Sequence, residues 1–475
     1  MTRKLLAARD AGLGLLATAL GCVSVPVDPE AGFPALAATI QERAGQRIAW
    51  SRGEGDEEIA RAVQGLLAGG LCADEAVGVA LLNNRDLQAT YAELGVAQAD
   101  LVQASLLHNP VLSVGSGLGG GPADLLFSLA LDVVDLFYVP LRKRTAAADF
   151  EEARLLVAGQ VLDVAWATRT AFTEHQADEQ VLEMRQQIAA STAASFEVAR
   201  RMREAGNLRE LDLARERARA GQARLELREA ELAARRSRER LNALLGLWGE
   251  GAAWTLVSAR LPDPALEPLE AEGLESRAIE QSLDLAAAGR HVAAAAENLG
   301  LTRASRFFPE LVVGGEGERE GGDWDAGPSA AIPIPLFDRG QARVARGEME
   351  LLRARDRLHG IAVRIRAAVR AARDRVIAER ERALYYRSEQ LPLQDHVVRE
   401  AQLQYNAMQL GVLELLRAKE EQIATAVRYL ETLRAYWLAR ADLDLLLAGR
   451  LPPPEQAGPA PRFQELPRFP FPTLQ

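Results

Sequence analysis

Two stretches of this chain, about 200 residues apart, each set a short strand-like pattern directly ahead of a very long helical one. Few folds accommodate that plan twice. The second stretch, Gly327 to Glu350, reads GPSAAIPIPLFDRGQARVARGEME. Its apolar run is closed by Pro333 and Pro335, and a turn follows at Asp338-Arg339-Gly340. Helical spacing then continues for about 70 residues with one proline, Pro392, which is expected to kink it. The first stretch, Leu125 to Leu155, does the same, with Leu136-Phe137 answering Leu336-Phe337. Its junction carries Tyr138-Val139-Pro140 in place of the acidic turn.

No proline interrupts residues 141–260. A helix is expected from about Arg142 to Glu204, with a break at Ala205-Gly206-Asn207 and a second helix to about Leu247. Sixty helical residues span on the order of 90 Å, more than a globular domain uses. Leu155, Ala158, Leu162, Ala165 and Phe172 repeat in threes, fours and sevens, the seam of a coiled-coil-like contact. The dense Arg and Glu of residues 215–240 read as solvated faces with i,i+4 pairs.

The landmarks recur. A helix N-capped by Asp74 is expected from about Glu75 to Leu107, ending at Asn109-Pro110; another runs from Gly273 to Arg306, ending ahead of Pro309. Pro110 and Pro309, Phe137 and Phe337, and Gly206 and Gly411 are offset by 199, 200 and 205 residues. The chain therefore reads as an internal two-fold repeat of helix, strand, strand, long helix, turn, long helix. The expected organisation is a signal peptide at 1–21, an N-terminal segment at 22–72, and a first repeat at 73–260 with strands near 110–118 and 125–135. A linker at 261–272 leads to a second repeat at 273–451, with strands near 309–318 and 326–335, and to a Pro-rich tail at 452–475.

Within the strands, Leu112 and Val114 alternate with Ser113 and Gly115, and Phe127, Leu129, Leu131 and Val133 with Ser128, Ala130 and Asp132. That period fits a transmembrane barrel strand and equally a strand covering a soluble core; periodicity alone leaves both open. Glu316 and Glu318 look like departures from clean alternation.

Arg3, Lys4 and Arg9 precede a short apolar run ending in Ala19-Leu20-Gly21-Cys22. The formal charge of −10, with no basic cluster, argues against a nucleic-acid partner. The second cysteine, Cys72, is expected to be a small buried apolar residue. His108, His175, His291, His359 and His396 show no metal-ligand spacing, no phosphate loop opens a helix, and no catalytic constellation is visible. Neither an enzyme nor a cofactor or metal site is expected, so any energy source lies in a partner.

The segments ALLNNRDLQATYAELGVAQADLVQASLLHNPVLS (Ala80 to Ser113), IPIPLFDRGQARVARGEMELLRAR (Ile332 to Arg355) and LGVLELLRAKEEQ (Leu410 to Gln422) resemble the outer-membrane efflux protein family, the TolC-like channels, and the first of them is similar to its heavy-metal branch. The resemblance covers about Ala73 to Leu451. It implies a mainly α fold with a small β part: long helical hairpins forming a periplasmic α-barrel, and four strands per protomer of a homotrimeric 12-stranded outer-membrane β-barrel. It implies a terminal and linker belt around the tunnel, and lipid attachment at Cys22, the last residue of a lipoprotein-type box. It implies a periplasmic adaptor (membrane fusion protein) and an inner-membrane pump, of resistance-nodulation-division type or an ABC exporter. Trimeric closure in outer-membrane lipid would settle the strands as barrel strands, with Glu316 and Glu318 towards the lumen or an extracellular loop.

By the same resemblance the helix breaks are adaptor-docking tips, at Gly206, Leu208, Leu410, Gly411 and Val412. Turn glycines also have a plain backbone reason, because glycine tolerates positive φ. Leu208, Leu410 and Val412 would be exposed apolar groups there. Asp212 and Glu414 are candidate constriction residues, although an acid near a helix N-terminus is favoured in any case; Arg417 stands where some relatives have a second acid. Pro140, Pro335, Phe337, Asp338 and Gly340 would form the barrel-to-tunnel junction. A duct for type I protein secretion and, in another class, a soluble periplasmic coiled-coil scaffold are the alternatives.

Overall fold

The computed structural model describes residues 27–51, 56–117, 124–270, 272–308, 310–320 and 323–453. The expected signal segment, Cys22 and nearly all of the tail fall outside them. In chain order the elements are α1 (Phe33–Ala44), α2 (Asp56–Ala68), α3 (Ala73–Asn83), α4 (Arg85–Ser105), β1 (Val111–Gly117), β2 (Asp124–Asp132), α5 (Asp135–Glu204) and α6 (Glu210–Leu245). They continue as α7 (Leu274–Gln281), α8 (Leu283–Ser305), β3 (Val312–Glu320), β4 (Asp323–Ala331), α9 (Gln341–Tyr385), a π turn at Tyr386–Gln390, α10 (Leu391–Asn406) and α11 (Val412–Leu447). Among the described residues no helix is long and apolar enough to cross a membrane.

The chain divides into two compact units. The first comprises the described residues within Met1–Gly32, Leu94–Phe150 and Ala296–Gly347 and holds the sheet. Its four strands form one antiparallel meander in the order β1-β2-β3-β4. The pairing of β2 with β3 joins the strands of the two halves of the chain, leaving β1 and β4 as edges. The strands are shorter than their pattern suggests at the helix side. β2 stops at Asp132 because the next helix begins at Asp135. β4 stops at Ala331, before Pro333 and Pro335, which lack the donor a ladder requires. Pro328 lies within β4, where an edge strand tolerates it.

Helix α5 starts seven residues before Arg142, and Pro140 lies inside it rather than at the junction. The start is set by Asp135, which is buried. Its carboxylate pairs with Arg142 (2.5 Å) and accepts the His108 backbone N–H (2.9 Å). Pro140 forfeits one helical donor, the bond to the carbonyl four residues back. Two other expected helices are each split in two. Asn84 and Ser282 interrupt them in extended conformation, and each side chain then caps the following helix: Asn84 Oδ1 accepts from Leu87 N–H (3.1 Å), Ser282 Oγ from Leu285 N–H (3.0 Å). Cys72, not Asp74, is the N-cap of α3. It is half-buried, and its N–H donates to Glu75 (2.7 Å), one arm of a capping box. Pro392 is accommodated by the π turn that immediately precedes α10.

The second unit comprises the described residues within Phe33–Glu93, Glu151–Ala295 and Glu348–Gln475. One apolar cluster packs Val79 and Ala80 of α3 against Phe172 of α5 and Leu241 and Leu245 of α6. Another packs Leu274 and Ala278 of α7 against Val369 and Val376 of α9 and Tyr436 and Leu443 of α11. Farther along the long helices the contacts thin to Ile188, Ala223 and Ile423. Of the proposed seam, Ala158, Leu162 and Phe172 are buried and Leu155 and Ala165 half-buried. The charged stretch at 215–240 does more than face solvent. Arg228 pairs locally with Glu231, but Glu226 reaches Arg185, Arg240 reaches Glu174, and Glu216 reaches Arg417, all on other helices.

Candidate functional site

Register divides the described part of the sheet into two faces. One carries Leu112, Val114, Leu125, Phe127, Leu129, Leu131, Val313, Gly315, Gly317, Arg319, Trp324, Ala326, Pro328 and Ala330. The other carries Ser113, Gly115, Ser128, Ala130, Asp132, Glu316, Glu318, Asp325 and Ser329, with Val111, Leu126 and Val312 among them. Glu316 and Glu318 are therefore in phase: Glu316 stands beside Ser128 and Glu318 beside Asp325. The apolar face is exposed at Leu112, Val114, Phe127, Leu129 and Trp324. Such an exposed patch calls for a partner phase or surface.

At the helix side of this unit, Asp338 Oδ1 accepts the Gly340 N–H (2.7 Å) while Oδ2 pairs with Arg343 (3.6 Å). Gly340 has φ +73°, and a Cβ there would lie 2.8 Å from Arg306 Cβ, so glycine is required on both counts. A γ-type bond from Leu336 N–H to the Ile334 carbonyl (2.8 Å) bends the chain at Pro335. Phe337 is 93 % exposed and Ile334 and Leu336 are exposed beside it, an apolar knuckle below the sheet. The first junction is built differently. There Tyr138 donates to the Phe308 carbonyl (2.7 Å), and Asp135, which the sequence pattern did not single out, is held by Arg142.

In the second unit both helix turns occur where glycine placed them, but their internal correspondence changes. Each long helix ends with an i→i−5 bond, Asn207 N–H to Met202 O and Gln409 N–H to Gln404 O, around a left-handed residue. That residue is Gly206 (φ +79°) in the first turn and Met408 (φ +58°) in the second. Gly411 corresponds instead to Arg209. Each is the N-cap of the next helix, at φ −74°, ψ 151° and φ −73°, ψ 151°. Gly411 thus has no positive-φ reason to be glycine, and a Cβ there meets nothing within 4 Å. Met408→Gly is expected to stabilise the second turn by about 1 kcal/mol, read as a higher melting midpoint.

Leu208 and Leu410 are half-buried, as is Val412, rather than exposed. Leu208 and Leu410 each precede an N-cap, with Leu213 and Leu415 at the fourth helical position, the arrangement of a hydrophobic staple. The exposed apolar groups at the turns are Met408 (95 % exposed), Leu403 and Leu211. Asp212 and Glu414 share the third position of their helices. Asp212 is offset by Arg209 (2.9 Å) and Arg215 (3.5 Å), whereas Glu414 is exposed. Arg417 is committed to Glu216, which is 2 % exposed.

His175 is buried on α5, 3.1 Å from Ser237 Oγ and edge-on to Trp254. Burial, aided by nearby Arg238, lowers its pKa against the opposing pull of Glu179. A depressed folded pKa means that its stability contribution is complete above the unfolded value near 6.5 and is lost as pH falls through the folded value. Melting midpoints at about pH 7.5 and about pH 5 should therefore differ less in His175→Gln than in the wild type. Among the described residues, no group of three or more His, Cys, Asp or Glu side chains is placed to hold a metal ion.

A four-strand meander feeding paired long helices is the fold of outer-membrane channels. CmeC of Campylobacter jejuni, an outer membrane channel, superposes with a TM-score of 0.67 at 15% identity, covering 91% of this chain and 94% of its own. CusC, described for transmembrane channel formation, gives 0.64 at 17% identity, covering 82% and 92%. In sequence, the chain is similar to CzcC of Cupriavidus metallidurans, a cobalt-zinc-cadmium resistance protein. The two are 24% identical over 387 residues, 80% of this chain and 90% of the relative. No family model matches the chain. The resemblance read from the sequence is thus met by both fold and relatives.

Proposed function

We propose that this chain is the outer-membrane exit duct of a tripartite efflux system, a passive channel rather than an enzyme. Three copies would each give four strands to a twelve-stranded barrel, and their helical hairpins would form a periplasmic tunnel. A periplasmic adaptor and an inner-membrane pump would complete the path and supply the energy, and Cys22 would carry lipid. The observation that carries this reading is the sheet. It is apolar on one face, acidic and small on the other, and has both edge strands unpaired within the chain. Four strands cannot close a barrel, and open edges are not tolerated in lipid, so further copies must supply the missing pairs. The matched caps at Asn84 and Ser282, and the matched turns around Gly206 and Met408, support an internal repeat.

The likeness to CzcC favours cobalt, zinc and cadmium ions as cargo. Deleting the gene should sensitise cells to these cations, and the intact gene should restore tolerance. Unchanged tolerance together with recovery in the soluble periplasmic fraction would contradict the proposal in favour of a scaffold. For adaptor docking the geometry favours Gly411 and Met408; Gly206 serves the backbone turn, and Leu208, Leu410 and Val412 serve packing. For an acidic constriction it favours Glu414 over Asp212. Gly411→Arg is expected to reduce tolerance to that of the deletion strain while leaving the protein folded in the membrane. Normal tolerance would remove Gly411 from the docking surface.

A further inference from the structure

The apolar face of the sheet is not uniformly padded. Along β3 its side chains are absent at Gly315 and Gly317, and the facing β4 positions are Ala326 and Pro328. Leu112, Phe127 and Leu129 stand along the other side. The result is an open trough of about 510 Å³ on that face. Neither glycine is forced by the backbone. Neither has a positive φ, and a Cβ would approach no atom closer than 3.9 Å at Gly315 or 3.8 Å at Gly317. Glycine in a strand interior weakens it, so these two leave room at a cost.

The trough runs along β3 towards the hairpin end, and there, as the next pair on the same face beyond Gly317 and Ala326, sit Arg319 and Trp324. The Arg319 guanidinium lies 5.9 Å from the Trp324 ring centre, and Trp324 packs at 5.8 Å on Phe127. Among the described side chains of this face Arg319 is the single charged group. The described acids of the strands, Asp132, Glu316, Glu318 and Asp325, are on the opposite face. A lone cation on a lipid-facing surface costs free energy unless it reaches the interface and meets an anion, and an arginine fork suits phosphate oxygens. An aromatic ring beside it fits the same depth.

We propose that this trough is a binding site for one anionic, phosphate-bearing lipid of the outer leaflet: an acyl chain over Gly315 and Gly317, the headgroup phosphate on Arg319. The inference rests on the channel reading, because only that reading puts this face against lipid.

The test uses full-length protein reconstituted into phosphatidylcholine vesicles containing a minor fraction of lipid A, followed by native mass spectrometry of the released protein. Wild type should retain lipid A in preference to phosphatidylcholine. Arg319→Gln, which removes the cation, and Gly317→Leu, which fills the trough, should each lower retention by about tenfold, while Arg319→Lys keeps part of it. Equal retention in both variants, or no preference for lipid A in an inserted wild type, would overturn the site and leave the channel reading standing. A wild type that does not enter the vesicles at all would overturn both.

Discussion

Gly314→Ala should prevent the sheet from forming, whereas Gly315→Ala, one residue on, should be tolerated. At Gly314 an added Cβ would lie 2.3 Å from the Leu129 carbonyl oxygen and 3.2 Å from Ala130 Cα, both backbone atoms that no rotamer can move aside. At Gly315 the nearest atom is the Gly327 carbonyl oxygen at 3.9 Å. Gly314 stands opposite Ala130 in the β2–β3 ladder, which joins the strands of the two halves of the chain. Forcing β2 and β3 apart costs about 3 kcal/mol as overpacking alone, before ladder bonds are lost. In the proposed channel it would also interrupt every copy of the barrel wall. The amount of protein in the outer-membrane fraction reads the effect: near zero for Gly314→Ala, near wild type for Gly315→Ala. Equal amounts would show that the β2–β3 contact is not required.

The second large effect belongs to Arg450, at the end of α11. Gly449 adopts φ +99° and its carbonyl accepts the Leu283 N–H (2.8 Å), which turns Arg450 back into the second unit. There its guanidinium grips Asp163 of α5 through two nitrogens (2.9 Å and 2.7 Å) and also meets Asp284 of α8, whose other oxygen accepts the Leu451 N–H (2.8 Å). Gly159 allows the guanidinium to lie on α5; a Cβ there would be 3.3 Å from it. Burial raises the Asp163 pKa, and Asp284 adds like-charge repulsion, so without Arg450 the two carboxylates oppose each other. Arg450→Ala should cost about 2–3 kcal/mol, below the figure for a fully buried pair because all three groups keep some solvent contact. Adding Asp163→Asn should recover part of the loss, since it removes the repulsion. Arg450→Lys should rescue poorly, because an ammonium cannot bridge both acids. Thermal unfolding followed by helical circular dichroism gives the order; a melting midpoint unchanged in Arg450→Ala would remove this cluster from the account.

How far the sequence revealed the fold depended on which residues carry local geometry. The strand faces were readable because Leu112, Val114, Phe127 and Leu129 keep a strict period of two, and the observed register preserves it. The two helix turns were readable because long helical runs met glycine at Gly206 and Gly411. Within the second turn glycine misled. The left-handed residue is Met408, a side chain that rarely takes φ above zero, so nothing in composition marks it. The breaks at Asn84 and Ser282 were missed because neither glycine nor proline stands there; polar side chains that cap from within an otherwise helical pattern give a weak signal. Asp135 was missed for a different reason. Its value comes from His108, brought to it by the fold, and from Arg142 two turns along the same helix, while Pro140 argued for a later helix start. The pairing of buried Glu216 with Arg417 was likewise invisible, because two residues 201 positions apart meet only through the packing of α6 on α11.

The central claim is that copies of this chain close one another's sheets in the outer membrane. Cysteines scanned in pairs along β1 and β4, in a Cys72→Ser background, test it directly by oxidation in isolated outer membranes. The expected result is a covalent ladder that stops at three chains, formed at cysteine pairs in matching register. A ladder with no upper stop, or cross-links absent at every register, would contradict trimeric closure.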